Sequence, residues 1–419
     1  MKYTAIAAIA ALPALSAAAN FSSSAGPDGK YELSSEGIRA KFIPYGALVS
    51  NIFITDVHGI ERDIVLGYDN ASHYSVDPLH PHLNSIPGRY ANRIGNASFT
   101  IDGVKYHINP NDAGGLDSLH AGSPCWVLSE EQQAYCSIGG WDWRNWTVTA
   151  LNSSSISMGL VDPAGTNGFP GEVVANVTYT LTPHKWHLSM TAKATTAKTP
   201  IMLTSHTYMN LDGFQNPDTD LALDHRVFLP FSGTRVGTDG TQIPDGTLLP
   251  NKQGSVNDFW SAPKALRTGW TDPALMDNCG TGCKGYDNNF IVNRDQYAPY
   301  DWRDAAVAQA ASPFSGIQVD IFTDQGTAQL FTCNSFNGTL PVKETQGFFD
   351  DPNHPRVIQQ HGCVVFEVQD YIDGVNHPEW QRRSVYGPED PPYRFEAIYQ
   401  FTVNRTLAGL DGNGTAAYS

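Results

Sequence analysis

Glu367 stands inside the run VVFEVQ (Val364–Gln369), with apolar residues on both sides. A carboxylate in such a run is partly desolvated, which raises its pKa and strengthens its pairing with a nearby cation. A strand-interior glutamate of this kind needs a reason, because an unpaired buried charge is costly. His206 lies in SHTYMNLDG (Ser205–Gly213), after the apolar PIMLT (Pro200–Thr204) and before the turn-like NLDG. It reads as the point where a strand stops and a loop begins. Such a position holds a titratable side chain rigidly while exposing it to a ligand. A carboxylate and an imidazole held in this way can exchange protons with a bound molecule.

Other stretches share this character. GRYANRIGNASFTIDG (Gly88–Gly103) packs Arg89, Asn92 and Arg93 just before a strand, and DSLHAG (Asp117–Gly122) sets His120 before a small-residue turn. GYDNNFIV (Gly285–Val292) puts Asp287 before a strand, and Gln369 shares the strand face of Glu367 two residues on. Each has a plainer reading when taken singly. His206 could be a half-buried histidine bonded to a carbonyl, Arg93 an ion-pair partner, His120 a turn cap and Asp287 an Asx-turn residue. Aromatic and amide residues near these positions suit a sugar, which offers hydroxyls and an apolar ring face. Other chemistries fit worse. There is no G-x-S-x-G elbow, no H-E-x-x-H, no phosphate-binding or dinucleotide glycine loop and no C-x-x-C zinc spacing. His73, His80 and His82 cluster around HPH, but H-x-H spacing alone is a weak metal signal, and the run reads as an exposed loop.

The elements that must hold these residues are strands. In Val173–Thr182 the apolar Val173, Ala175, Val177, Tyr179 and Leu181 alternate with polar residues, and Lys185–Lys193 repeats the pattern across a Thr182-Pro183-His184 turn. That is a hairpin. Gly316–Thr323 alternates again and turns at Gln325-Gly326 into Thr327–Thr332. Many such strands joined by Gly, Pro and Asn turns predict an all-β fold, a large antiparallel β-sandwich with few short helices. Only Asp301–Ala311 has some helical character, and Phe231–Pro263 reads as extended surface loops. No linker or internal repeat divides the chain, so residues 20–419 are expected to form a single domain.

Residues 1–19 combine Lys2, an apolar run and Ala17-Ala18-Ala19, the pattern of a secretory signal peptide, which predicts a secreted, extracellular protein. Nine N-x-S/T sequons, at Asn20, Asn70, Asn96, Asn145, Asn152, Asn176, Asn337, Asn404 and Asn413, are candidate glycan acceptors. Six cysteines suit an oxidising compartment. Spacing suggests Cys125–Cys136 and Cys279–Cys283 as loop clasps, leaving Cys333–Cys363, although other pairings stay open. The formal charge of −16 argues against nucleic acid, anionic membranes and strongly anionic polymers as partners. No later run approaches the length that spans a bilayer.

The blocks GRYANRI, FTIDGVKYHI, SLHAG, SHTYMNLDG, GYDNNFIV and FEVQDYIDGVNHP, in this order, resemble the aldose 1-epimerases, or galactose mutarotases, from about Tyr31 to about Val403. The resemblance implies a large β-sandwich acting as an isomerase, one that interconverts the α- and β-anomers of aldohexoses such as glucose or galactose. The substrate would be a monosaccharide or a sugar-chain end, no cofactor or metal would be needed, and a monomer is expected. By position, Glu367 matches the family's general base, His206 its general acid and His120 its second active-site histidine. Asn92, Arg93 and Asp287 match residues that hold sugar hydroxyls, with Gln369 a further candidate for the lining. Such a pair would work from opposite sides of the sugar. It would give a bell-shaped pH profile, falling at low pH as Glu367 is protonated and at high pH as His206 loses its proton.

The chain also departs from the family. Ser205 and Met209 replace commoner residues around His206, Ala121-Gly122 replaces a glycine pair, and Pro87 replaces a branched aliphatic. An insertion from about Ser123 to Gly139, containing Cys125 and Cys136, is expected to form a clasped flap beside the pocket. These changes keep two alternatives in view, a catalytically silent sugar-binding protein on the same fold and a glycoside hydrolase or lyase. A hydrolase would need two carboxylates facing one bond, for which Asp287 with Glu367 is the pair to test.

Overall fold

The computed structural model describes residues 24–294 and 301–409. The expected signal peptide, Asn20 and Asn413 lie outside these residues. Two antiparallel sheets carry the architecture. The larger has nine strands, with Val173–Thr182, Lys185–Ala194, Tyr393–Val403 and Ile317–Thr323 adjacent at its centre. The smaller has six, in the order Tyr208–Met209, Val364–Gln369, Thr327–Phe331, Asp287–Ile291, Thr234–Thr238 and Pro244–Pro250. A four-stranded sheet over Tyr31–Asp63 and three two-stranded ribbons complete it. Among the described residues the only α-helix is the four-residue Ala71–Tyr74, and the other helical turns are of 3-10 type.

Alternation places the core. Val177, Tyr179, Leu188, Ile321, Phe395, Ala397 and Tyr399 from the nine-stranded sheet meet Phe290, Ala328, Leu330, Val364, Phe366 and Val368 from the six-stranded one. Each fully buried side chain of this size contributes roughly 1.5–3 kcal/mol of burial free energy, so the contact between sheets is the main stabilising feature. The same alternation turns Asp287, Gln329, Phe331, Glu367 and Gln369 to the other face of the six-stranded sheet. The hairpin and both alternating segments read from the sequence are present with their register.

Two segments differ from expectation. Ala308–Ala311 is a strand, paired to Ile317–Thr323 and to Arg226–Phe228, in the stretch read as helical. Alanine favours helix locally, but Ala308 and Ala310 are fully buried with Gln309 turned outward, and pairing on both sides outweighs propensity. Phe231–Pro263 is not all loop, since Thr234–Thr238 and Pro244–Pro250 form the edge of the six-stranded sheet. Proline is tolerated at such an edge, where its missing N–H has no partner to lose.

The disulfides are Cys125–Cys136, Cys279–Cys283 and Cys333–Cys363, as the spacing suggests.

Candidate active site

Strand register assembles the site. Tyr208 pairs with Val365 and Met209 with Val364. Continuing that antiparallel register backwards sets His206 opposite Glu367. On its other side Glu367 pairs with Gln329, and Gln329 with Asn289. His206, Glu367, Gln329 and Asn289 therefore form one row across the outer face. The next row is Tyr208, Val365, Phe331 and Asp287. One row further, Cys333 and Cys363 are joined by their disulfide. His206 precedes a two-residue edge strand rather than ending one, and its backbone bonds Ser85 and Asn84 instead of a ladder partner.

Loops wall this floor into a cavity of about 350 Å³, lined by His82, Asn92, Arg93, His120, His206, Tyr208, Asp287, Phe331 and Glu367 among others. That is the lower range of small-molecule pockets. His206 Nε2 lies 3.4 Å from Glu367 Oε1, and both side chains are at least nine-tenths buried. The two stand side by side on one wall rather than on opposite sides. His206 Nδ1 and Glu367 Oε2 are buried without any hydrogen-bond partner. Such orphaned polar atoms are rare in a packed interior and mark a place for a ligand or an ordered water.

Asn92 and His120 lock each other. The His120 N–H donates to the Asn92 carbonyl, and the Asn92 N–H donates to His120 Nδ1, both at 3.0 Å. That bond puts the imidazole proton on Nε2, free to donate into the cavity. Both residues have left-handed backbone, φ 57° and 51°, and Ala121 continues it at 64°. Non-glycine residues bear strain there, of a kind that clusters at functional sites.

Arg93 Nε donates to Asp112 at 2.8 Å, and Gln329 Nε2 donates to Asp287 Oδ1 at 2.7 Å. Arg89, four residues before Arg93, plays a different part, since it is buried and bonds Asp162 and the carbonyls of Pro170 and Gly171. His206 stacks on Tyr208, with ring centroids 4.7 Å apart.

Burial dominates the electrostatics. It pushes the Glu367 carboxyl up to about 8, helped by the charge of Asp287 and opposed by that of Arg93. It pushes the His206 imidazole down to about 3, with the charge of His82 adding to the effect. His120 is driven down by the same burial and by its histidine neighbours. Burial also raises Asp287, against the pull of Arg93. At neutral pH these shifts leave the pair with one proton, favoured on the carboxyl group.

The residues expected from the sequence converge here, with one exception. Gln369 is fully buried and is not among the residues lining the cavity. The insertion also sits elsewhere, since none of residues 123–139 lines the cavity. It packs behind the His120 loop, where Asn109 and Asn111 bond Ser123 and the Leu119 backbone.

The HPH run is not an exposed loop. His80 is buried, stacked on Trp143, and His82 is half-buried. Both rings donate to Asp142 Oδ2, at 2.9 and 2.7 Å, and these bonds hold the buried Asp142 carboxyl well below the usual range. His82 thus lines the cavity beside His120. Two groups, His80–His82–Asp142 and His120–His206–Glu367, have donor atoms within 4.8 Å of one another, close enough to hold a cation. In the first, both rings already bond one carboxylate oxygen, Asp142 Oδ2, while Oδ1 is buried without a partner.

Sequence reasoning missed His82, Tyr208, Phe331 and Gln329. Tyr208 was within reach, because period 2 from His206 puts it on the same face. Gln329 was not, because only pairing between distant strands shows it beside Glu367.

Among solved structures, the GalM/aldose epimerase homologue from C. elegans superposes with a TM-score of 0.73 at 22% identity, covering 90% of this chain and 99% of that one. The class of protein is thereby the galactose mutarotase-like β-sandwich. The chain belongs to the aldose 1-epimerase family, a family of isomerases, whose model matches residues 29–400. It is 36% identical over 406 residues to a protein of Arthroderma benhamiae named probable aldose 1-epimerase, covering 91% of this chain and 88% of that relative. It is 30% identical over 351 residues to human galactose mutarotase, covering 84% and 88%.

Proposed function

We propose that this protein catalyses interconversion of the α- and β-anomers of an aldohexose such as glucose or galactose, with Glu367 and His206 as the proton-transfer pair. The observation that carries the reading is the 3.4 Å approach of His206 Nε2 to Glu367 Oε1 where both line the cavity. Opening the ring requires loss of the C1 hydroxyl proton and gain of a proton by the ring oxygen. Both oxygens are bonded to C1, so a base and an acid side by side on one wall can serve them together. Moving both protons in concert avoids free oxyanion or oxocarbenium charge.

In the opening step Glu367 acts as carboxylate and takes the C1 proton, while His206 gives its proton to the ring oxygen. The bond between C1 and the ring oxygen breaks, and the C1–O bond becomes a carbonyl. Rotation about C1–C2 presents the other face. The ring closes with the roles reversed, and protons balance over the cycle. The charge of Arg93 favours the carboxylate form of Glu367. His120 Nε2–H is a donor for a hydroxyl or a developing oxyanion. Asp287, aligned by Gln329, accepts from sugar hydroxyls, and Phe331 and Tyr208 meet the apolar ring face.

The reading includes a protein that is secreted, acts as a monomer and carries glycans on some of its sequons. The leader-like residues 1–19 and the three disulfides support the first point. The test is polarimetry or anomeric-proton NMR on freshly dissolved pure anomers of several aldoses. Accelerated relaxation with no net product is the expected result. Unchanged relaxation with measurable sugar binding would favour a silent binding protein, and a new reducing end released from a glycoside would favour a hydrolase.

A further inference from the structure

A second cavity, of about 570 Å³, adjoins the first, and Cys283 and Asn334 line both. Trp270, Lys284, Gln360 and His361 also wall it. We propose that this second cavity is a subsite for the glycosyl residue attached to the reducing sugar, so that the preferred substrate is the reducing end of a neutral oligosaccharide. This rests on the anomer-interconverting reading of the first cavity and names its substrate class.

Three observations carry the proposal. The first is direction. Along the strand Thr327–Phe331, Gln329 is level with Glu367 and Phe331 with Asp287, and Asn334 lies beyond both. A sugar with its C1 at Glu367 thus has its far end toward Asn334, where the second cavity opens. A reducing sugar substituted at that far end carries its next residue in the same direction.

The second is an aromatic wall. Trp270 is half-buried, with Lys284 Nζ 5.1 Å from its ring centroid and the His361 ring meeting it edge-on at 4.9 Å. Lys284 lies over the ring and Trp270 also packs against the core, so the indole is held in place, and what it presents to the cavity is the remainder of its apolar surface, which a pyranose can meet. The third is the polar rim. Gln360 Nε2 donates to the Asn334 carbonyl at 2.8 Å, and the Asn334 side chain is held by Tyr286 and Thr332. The Gln360 amide oxygen is then left as an acceptor for a hydroxyl. The Cys279–Cys283 disulfide rigidifies the short loop between the two cavities.

The experiment compares kcat/KM for mutarotation of glucose, maltose and cellobiose by the full chain and two variants. In the wild type, at least one disaccharide should exceed glucose by about tenfold, the scale of one added aromatic stack. Trp270→Ala should remove that advantage while leaving the glucose value within about twofold. Gln360→Ala, an exposed substitution that spares the core, should reduce the disaccharide value alone by a smaller factor. Glucose turned over as well as or better than both disaccharides overturns the subsite. So does an equal loss on glucose and disaccharide in a folded Trp270→Ala protein, or, where that variant does not fold, a disaccharide value unchanged by Gln360→Ala. Absence of mutarotation for every sugar is a separate result, which overturns the function proposed for the first cavity and this proposal with it.

Discussion

His206 stands opposite Glu367 in the extended register of Tyr208–Met209 on Val364–Gln369, and its Nε2 lies 3.4 Å from Glu367 Oε1. The edge strand is only two residues long, so His206 has left the ladder and its backbone is held by Asn84 and Ser85 instead. The imidazole is thus fixed by one segment and the carboxylate by another. Their separation is set by the spacing between strands rather than by side-chain flexibility.

Glu367→Gln keeps shape and hydrogen bonding but cannot accept a proton, and His206→Asn cannot deliver one. Each should lower kcat for mutarotation by at least about 100-fold. The double variant should be little worse than either single one, because groups acting as a unit do not contribute additively. Steady-state polarimetry on folded variants checks this. Near wild-type turnover by Glu367→Gln would sink the assigned mechanism.

Burial reverses the assignment of the pH limbs expected from the sequence. With Glu367 at about 8 and His206 at about 3, the pair holds one proton between those values. Since that proton can sit on either partner, the working ionisation state persists across the whole window. The free-enzyme profile, read from kcat/KM, should stay flat through the mildly acidic range and fall above about pH 8, as the Glu367 proton is lost. An alkaline fall near pH 6.5, the ordinary histidine value, would contradict this.

The same shift has a consequence for stability. Between the ordinary carboxyl range and about 8, folded Glu367 retains a proton that the unfolded chain has released. The folded state then binds more protons than the unfolded one, so this group lowers stability as pH rises through that window. Glu367→Gln should melt several degrees above wild type at pH 8 and show a smaller difference at pH 5. Differential scanning fluorimetry across pH measures it.

Two arginines of one motif should fail differently. Arg89→Ala leaves the buried Asp162 with only Trp141 and the more distant Arg144, strips a donor from the carbonyls of Pro170 and Gly171, and should cost about 3 kcal/mol of stability. Arg93→Ala removes a cavity cation and should leave the melting temperature nearly unchanged while raising KM. Gln329→Leu releases Asp287 and should also raise KM more than it lowers kcat. Denaturation and kinetics on the same preparations separate these outcomes.

Replacing both Cys125 and Cys136 by serine should still give a folded protein, since closing so short a loop contributes only about 3 kcal/mol. Because the clasped insertion lies behind the His120 loop and outside the cavity lining, mutarotation should stay within about threefold of wild type. A loss exceeding tenfold would place the insertion in the catalytic cycle.

Alternation of apolar and polar residues along Val173–Thr182, Lys185–Ala194 and Ile317–Thr323 was enough to name an antiparallel sandwich, because period 2 is a local property of the chain. It also set Glu367 apart, since a carboxylate within VVFEVQ is unusual wherever it is found. The cysteine spacings suggested pairings without excluding others, and the structure decided them; ordered motifs carried the resemblance that singled out Asn92, Arg93, His120, His206 and Asp287. Local signals failed where pairing with distant segments decided the outcome. Ala308–Ala311 follows its neighbours on both sides rather than alanine's own preference. His80 and His82, polar and close to proline, read as exposed until Asp142 and Trp143, some sixty residues on, are seen to pack against them. The tertiary structure also decided which glutamine matters. Gln369 shares a face with Glu367 yet is sealed off, while Gln329 reaches Asp287 because its strand lies between theirs. The protonation of the pair belongs to the same category, because desolvation depends on how many segments close over a group, which no single stretch of sequence contains.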